Sequence, residues 1–453
     1  MTTTVIRGAY VISMDDAVPE QISDIVIRDG KIEQISPGSD YPADARVIDG
    51  EGRLALPGFV DTHRHLWQTV ARGIAADWSL VEYFAGVLGQ LGTRFRPEDV
   101  YISTLLGLLE AQDAGITTVL DWAHIMNTPE HADAALTAHR ESGERVVFGY
   151  GEPVGAWLGA SDRFELDDLA RIRNDHYSSD GGLLSLALAP RGPDFSAIEE
   201  TARVWGVADE LDIPITVHVG VGTWTERGGI TALAEANLLR EGTTYIHCSA
   251  STDDELARVR DSGGAVSVSP EVELHMGHGY PPTRRILDQG LRPSLSIDVC
   301  TGIGGDMFGA MRSMLSTQRG ADNDAALRAG DMPQRLDLTT RDILRAATID
   351  GAAAAGLASR TGSLTPGKDA DIVLLNVERL NMFPLNNPVS SVVLAAGVGN
   401  VETVLVRGEV VKEDYRLTRD LSGLMQRGLA SRDHLFGEAG IELGGAWAPP
   451  LDG

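Results

Sequence analysis

One alternation through the middle of the chain constrains its fold more than any other feature. Short apolar runs recur in order: GFVDTHRH, GITTVLDW, RVVFGYGE, LLSLALAP, PITVHVG, TTYIHCS, GAVSVSP and RPSLSID. Longer helical stretches, such as PEDVYISTLLGLLEAQDAG and AIEETARVWGVADELD, lie between or before them. Brief apolar runs bounded by turn signals read as buried strands. Strands that alternate with helices imply parallel βα units, because a parallel pair needs a crossover that a helix supplies. The count of eight runs and the length of the region match a (β/α)8 TIM barrel.

The two ends of the chain have another texture. TVIRGAYVISM, DIVIRDGKIEQI and ARVIDGEGRLALP alternate apolar and polar residues around DG turns. The same pattern returns in GSLTPGKDADIVLLNV and VETVLVRGEVVKED. The expected architecture is α/β: a barrel over 56–363, and a small composite β-sandwich built from 1–55 and 364–419. A short helix and a Gly/Pro-rich tail are expected over 420–453.

Composition removes several function classes. A formal charge of −27 disfavours binding to a phosphate backbone, so no nucleic-acid partner is expected. No apolar run reaches the roughly 18–20 residues of a membrane span, and MTTTVIRGAYVISMDD lacks the layout of a secretory signal. Two cysteines make no disulfide framework and suit a reducing cytoplasm. Lysine is confined to Lys31, Lys368 and Lys412. The expected barrel therefore has no lysine for a Schiff base, a P-loop or a metal-bridging carbamate.

Barrel enzymes carry their chemistry at the C-terminal ends of the strands. Here those ends hold Asp61-Thr62-His63-Arg64-His65, then His218, His247 and Asp298. His63 and His65 are two apart on an extended segment, so both face one side and can share a metal. His218 and Asp298 would complete a set of three nitrogens and one oxygen, suited to zinc or ferrous iron. Trp67 and Gln68 follow the pair and can stack on and hydrogen-bond a planar ring. Trp122 with His124, Glu152 and Arg191 end or follow the next three strands, where a substrate contact and a scaffold role are equally open. Cys248 and Cys300 read as packing thiols, and Gly302–Phe308 as a loop over the pocket.

GFVDTHRH, TVHVG, YIHCS and SIDVCTG, entered through LPG and left through ATIDGAAAAGL and GSLTPGKDADIVLL, resemble the amidohydrolase superfamily to about residue 415. The branch that looks most similar holds the cytosine, guanine and S-adenosylhomocysteine deaminases and the triazine hydrolases. The resemblance implies one divalent metal, zinc or else iron, on His63, His65, His218 and Asp298. It implies proton handling by His247 and Asp298, a small-molecule substrate and a homo-oligomer. The expected reaction is hydrolysis of a C–N bond in a small cyclic or heteroaromatic compound, deamination above all. Hydrolytic dehalogenation, cyclic-amide opening, or a lyase or isomerase using the same metal are the alternatives.

One position departs from the family pattern. Those deaminases and triazine hydrolases usually carry Glu three residues after the strand-five His, where it protonates the substrate ring. Here that residue is Val221, which cannot transfer a proton. The segment after strand seven, SPEVELHMGHG, offers substitutes. Glu271, nearest the strand end, is the first choice for the acid; His275 is the second, or a substrate contact.

Overall fold

The computed structural model describes residues 3–159, 161, 163–177, 182–222 and 228–442. The Gly/Pro-rich tail expected near the end, over 443–453, lies outside the described residues. Five strands precede the barrel: β1 (Thr3–Val11), β2 (Ile22–Arg28), β3 (Lys31–Ser36), β4 (Arg46–Asp49) and β5 (Arg53–Pro57). The barrel strands are β6 (Phe59–Arg64), β7 (Ile116–Ala123), β8 (Arg145–Gly151), β9 (Leu184–Ala189), β10 (Ile215–Val219), β11 (Thr243–His247), β12 (Ala265–Val268) and β13 (Pro293–Leu295). Four follow it: β14 (Ile372–Asn376), β15 (Val401–Val406), β16 (Glu409–Glu413) and β17 (Arg416–Leu417).

Strands β6 to β13 are hydrogen-bonded in sequence order, each parallel to the next. Every residue of β6, β7 and β8 is buried, as expected of parallel strands covered on both faces. The cylinder is tied shut beyond β13. His65 N–H donates to the Asp298 carbonyl, and Asp298 N–H to the His63 carbonyl, each at 2.8 Å. The seam between first and eighth strands thus runs through three of the expected site residues.

Helix Pro97–Asp113 starts with Pro in its first turn, where the missing N–H costs nothing. It buries Val100, Leu105, Leu108 and Leu109. After β12 the chain forms helix Pro270–His275, again opened by Pro. Helix Ser422–Ala439 returns near the chain's end, and Ser431 Oγ donates to Asp99 Oδ1 of Pro97–Asp113 at 2.7 Å.

The remaining strands form one sheet from both chain ends, in the order β17-β16-β15-β14-β5-β1-β2-β3, with β4 also pairing β1. Antiparallel pairing of Leu54 with Leu375 and Leu56 with Val373 joins the two ends. Ile6, Val11, Ile25, Ile372, Leu374 and Leu405 belong to an apolar core of its own. Among the described residues, no helix is long and apolar enough to cross a membrane.

Candidate active site

The strand ends bring five side chains to one point. His63 Nε2 lies 3.2 Å and His65 Nε2 3.3 Å from Asp298 Oδ1. His247 Nε2 lies 3.6 Å from Asp298 Oδ2. The His63 and His218 rings are 4.7 Å apart, and ligand atoms of His63, His65 and His218 lie within 4.8 Å of one another. His247 and Asp298 adopt φ of 71° and 68°, the left-handed region that side-chain-bearing residues rarely occupy. Such backbone persists only where surroundings over-determine it, and it clusters at working sites.

The electrostatics suit a cation. Burial drives the basicity of His63, His65 and His218 down, leaving neutral imidazoles. Burial alone would raise Asp298, but His63, His247 and His65 outweigh it and hold its carboxyl well below the usual range. His65 Nδ1 donates to the Trp122 carbonyl at 2.7 Å, which fixes the tautomer and leaves the Nε2 lone pair facing the cluster. Both ring nitrogens of His63 and Nδ1 of His218 are buried without a hydrogen-bond partner. An unserved buried polar group costs about 1–3 kcal/mol. A divalent ion held by three imidazoles and one carboxylate would offset that cost for the ring nitrogens that bind it, so the donor set fits.

His247 has a fixed partner. Its Nδ1 donates to Glu273 Oε1 at 3.1 Å, and Ser269 N–H donates to the same oxygen at 2.9 Å. Burial opposes a charged imidazole here, yet Glu273 and Asp298 together lift His247 above its ordinary value. Burial also lifts the Glu273 carboxyl.

Above this floor lies a pocket open to solvent at its mouth. Phe84, Trp157 and Phe195 form one wall, with Phe84 and Phe195 stacked at 6.4 Å and Trp157 5.3 Å from Phe195. Leu80, Val221 and Met276 also line it, and Leu80 N–H donates to the Met276 carbonyl at 3.0 Å. That bond ties the loop after β6 to the segment after β12.

Several expected contacts stand elsewhere. Successive residues of a helix turn by about 100°, so in Pro270–His275 Glu271 and His275 share one face and Glu273 takes another. Glu271 lies against helix Met307–Arg328, where a Cβ built on Gly309 would be 3.2 Å from its Oε2. His275 is exposed. Neither lines the pocket. Glu152 and Arg191 satisfy each other: Arg191 Nε donates to Glu152 Oε2 at 2.7 Å, and its backbone N–H to Oε1 at 3.0 Å. Trp67 is buried against Phe95 and donates to His124 Nδ1 at 3.4 Å. Gln68 donates to Tyr83 Oη at 2.5 Å. Trp122 lies beside the histidine cluster, its ring 4.3 Å from His218 and its N–H on the Thr216 carbonyl at 3.2 Å. Trp67, Gln68, Trp122, Glu152 and Arg191 thus do not line the pocket, whereas His124 does. Gly302–Phe308 likewise contributes no lining residue; Asp306 caps Met307–Arg328 instead.

The pocket holds groups that sequence reasoning did not select: Tyr83, Trp157, Phe195 and His278, with Glu273 behind His247. Helical spacing after Pro270 is the signal that would have exchanged Glu271 for Glu273. Trp157 and Phe195 carried no signal beyond following strands three and four.

Comparison with known proteins identifies the family and the fold. The model of the Amidohydrolase family matches residues 54–411. The 5-methylthioadenosine/S-adenosylhomocysteine deaminase of Pyrococcus furiosus is 29% identical over 402 residues, covering 86% of this chain and 90% of its own. The 5'-deoxyadenosine deaminase of Methanosarcina mazei is 28% identical over 428 residues, covering 92% and 94%. Among solved structures, a zinc-bound adenosine deaminase from Xanthomonas campestris superposes with a TM-score of 0.84 at 24% identity, over 96% of this chain and 99% of its own. A variant atrazine chlorohydrolase from Arthrobacter aurescens, complexed with zinc and atraton, gives 0.83 at 23% identity, over 95% and 100%.

Proposed function

The chain belongs to the amidohydrolase family, and from that premise we propose that it is a mononuclear metal-dependent hydrolase that removes an amino group from a small nitrogen heteroaromatic compound. The observation that carries the reading is the convergence of His63, His65, His218 and Asp298 beneath an aromatic-walled pocket. These four residues would hold the ion, zinc first and iron second. When bound there, a divalent ion activates water at neutral pH and polarises the reacting group.

The chain's own residues do the rest. Phe84, Trp157 and Phe195 offer flat apolar surface to a planar ring. Asp298 Oδ2 accepts the proton that the attacking water releases. His247 Nε2, 3.6 Å from that oxygen, is placed to pass a proton on or to hydrogen-bond the oxygen that becomes attached to the ring. Glu273 holds His247 Nδ1–H, so Nε2 keeps its orientation. In the net reaction a C–O bond forms, the C–N bond breaks, and ammonia leaves carrying the water's proton.

The adenosine-type compounds named for the two deaminase relatives head the list of substrates to try. A second reading is favoured by one residue. Val221 lines the pocket and brings no acid, which suits a leaving group that departs as a stable anion, as chloride does in hydrolytic dehalogenation. The reading includes a cytoplasmic homo-oligomer; for the compartment, both cysteines are free and buried.

The test pairs elemental analysis with ammonia release from aminopurine nucleosides, aminopyrimidines and aminotriazines. Purified protein should carry about one zinc or iron per chain, as a single ligand set allows, and should release ammonia from at least one compound. His65→Ala should lose metal and turnover together. Active protein without metal, or metal-loaded protein inert to the whole panel, would overturn the reading.

A further inference from the structure

His278 has no structural reason to be a histidine. It is 5% exposed, and both of its ring nitrogens lack a hydrogen-bond partner among the described residues. Its ring stands at 90° to that of His247, with centroids 4.7 Å apart, and it lines the pocket. The backbone turns it there: Gly277 and Gly279 on either side have φ of 84° and 118°, which a side-chain-bearing residue would resist. Its own N–H donates to the Glu273 carbonyl at 3.1 Å, so the last turn of helix Pro270–His275 sets its position.

Burial, reinforced by His247, pushes this imidazole down to about 3. At working pH it is therefore neutral and presents one N–H donor and one lone-pair acceptor. Leaving both unmet in a buried wall is unfavourable, and an apolar residue would pack without that cost. A ligand with a polar edge removes the difficulty. Among the described residues, Val221 and Val272 are apolar members of the same lining and bring no donor or acceptor side chain to it.

We propose that His278 contacts the substrate and determines specificity, its neutral imidazole hydrogen-bonding a ring nitrogen or ring carbonyl next to the reacting carbon. The inference rests on the deaminase reading for the class of substrate, but not for the existence of the contact. A neutral imidazole N–H can polarise such an atom as negative charge builds on it, without giving up its proton. It would thus supply part of the stabilisation for which Val221 has no group. The ligand class is a planar heteroaromatic ring with an in-plane acceptor beside the amino-bearing carbon.

Two variants test it in the metal-loaded enzyme. His278→Phe keeps a flat ring against His247 and removes both nitrogens; His278→Gln keeps a donor and an acceptor. His278→Phe should lower kcat/KM by on the order of 10²-fold, the scale of one lost donor at a developing charge. Metal content and melting temperature should not fall, and the pH profile between 5 and 9 should drop without moving its inflections. His278→Gln should recover most of the loss. Calorimetric binding of hypoxanthine, uracil and 2-pyridone, as product-like lactams, gives a readout independent of turnover.

If the wild type deaminates and His278→Phe stays within threefold of it, the His278 proposal falls alone. If the wild type binds a lactam without deaminating anything, and His278→Phe abolishes binding, the contact stands and the deaminase reading falls. A wild type that neither turns over the panel nor binds a lactam overturns both. A melting temperature that drops with kcat/KM unchanged would make His278 a packing residue.

Discussion

Glu271 and Glu273 are two positions apart in sequence and on different sides of the strand-seven segment in space. On an extended strand they would share a face; on a helix they are about 200° apart. The short helix turns Glu273 inward to His247 and Glu271 outward, so His275, one turn on, goes outward with Glu271. The metal-binding candidates escaped this ambiguity. His63 lies on β6 and His65 directly follows its last residue, and both reach Asp298 Oδ1; the barrel rule marked the other strand ends. Glu152 and Arg191 show another limit of sequence: each looked able to meet a ligand, and nothing in one sequence says that two such groups satisfy each other. At this scale the prediction concerns Glu273→Gln. The amide no longer defines which way the His247 Nδ1–H points, so turnover should fall by on the order of 10²-fold, the contribution of a positioned acid or base. Metal content should stay at the wild-type level. Steady-state kinetics with metal analysis checks both; unchanged kcat would reduce Glu273 to a packing role.

The strands were legible as elements because a buried parallel strand must be a short apolar run, and β6 to β13 each coincide with one of the runs. The segments between them were less legible, since their shape depends on partners from other loops. The loop after β10 is an example. Gly220, at φ 69°, passes so close to its neighbours that a built Cβ would be 2.5 Å from Ser251 Oγ. Asp194, from the loop after β9, accepts the Gly220 N–H at 2.9 Å. Burial pushes Asp194 up to about 6, against the Gly220 bond and with help from Glu255. The native state therefore holds this proton more tightly than the unfolded chain. Below pH 3.8 both states are protonated and the group contributes no difference. As pH rises to about 6 the native protein must ionise a buried acid and loses stability, by up to about 3 kcal/mol for a shift of roughly two units. Asp194→Asn keeps an acceptor for Gly220 and has nothing to ionise. Relative to wild type it should gain stability from pH 4 to 7 and hold the gain above that. Urea titrations of both proteins across the range read the difference, and a constant offset at all pH values would assign Asp194 no titrating role.

The whole molecule depends on two chain ends meeting beneath the barrel. Their shared texture made a composite domain legible, but not the pairing of β5 with β14, which joins residues more than 300 positions apart. One buried guanidinium is among the groups that anchor that pairing to the barrel. Arg145, at the start of β8 and 1% exposed, donates through Nε to Asp371 Oδ2 and through a terminal nitrogen to Asp369 Oδ2, both at 2.9 Å. Asp371 also accepts the Arg407 N–H at 2.7 Å, and Asp369 meets Lys31 at 2.9 Å, so each carboxylate also engages the sheet. A buried ion pair adds little over a well-packed apolar pair, but removing one partner strands the other charge at a cost of about 3–5 kcal/mol. Arg145→Met should therefore destabilise the protein by about that amount in denaturant titration. Arg145 lies at the N-terminal end of its strand, while the proposed ligands occupy the C-terminal ends. Metal content, kcat and KM of the folded variant should thus match wild type. If an uncompensated charge is the cause, adding Asp371→Asn to Arg145→Met should recover part of the loss, because the amide still accepts from Arg407 without carrying a charge. If the double variant is no more stable than the single one, the loss comes from packing at the junction and not from stranded charge.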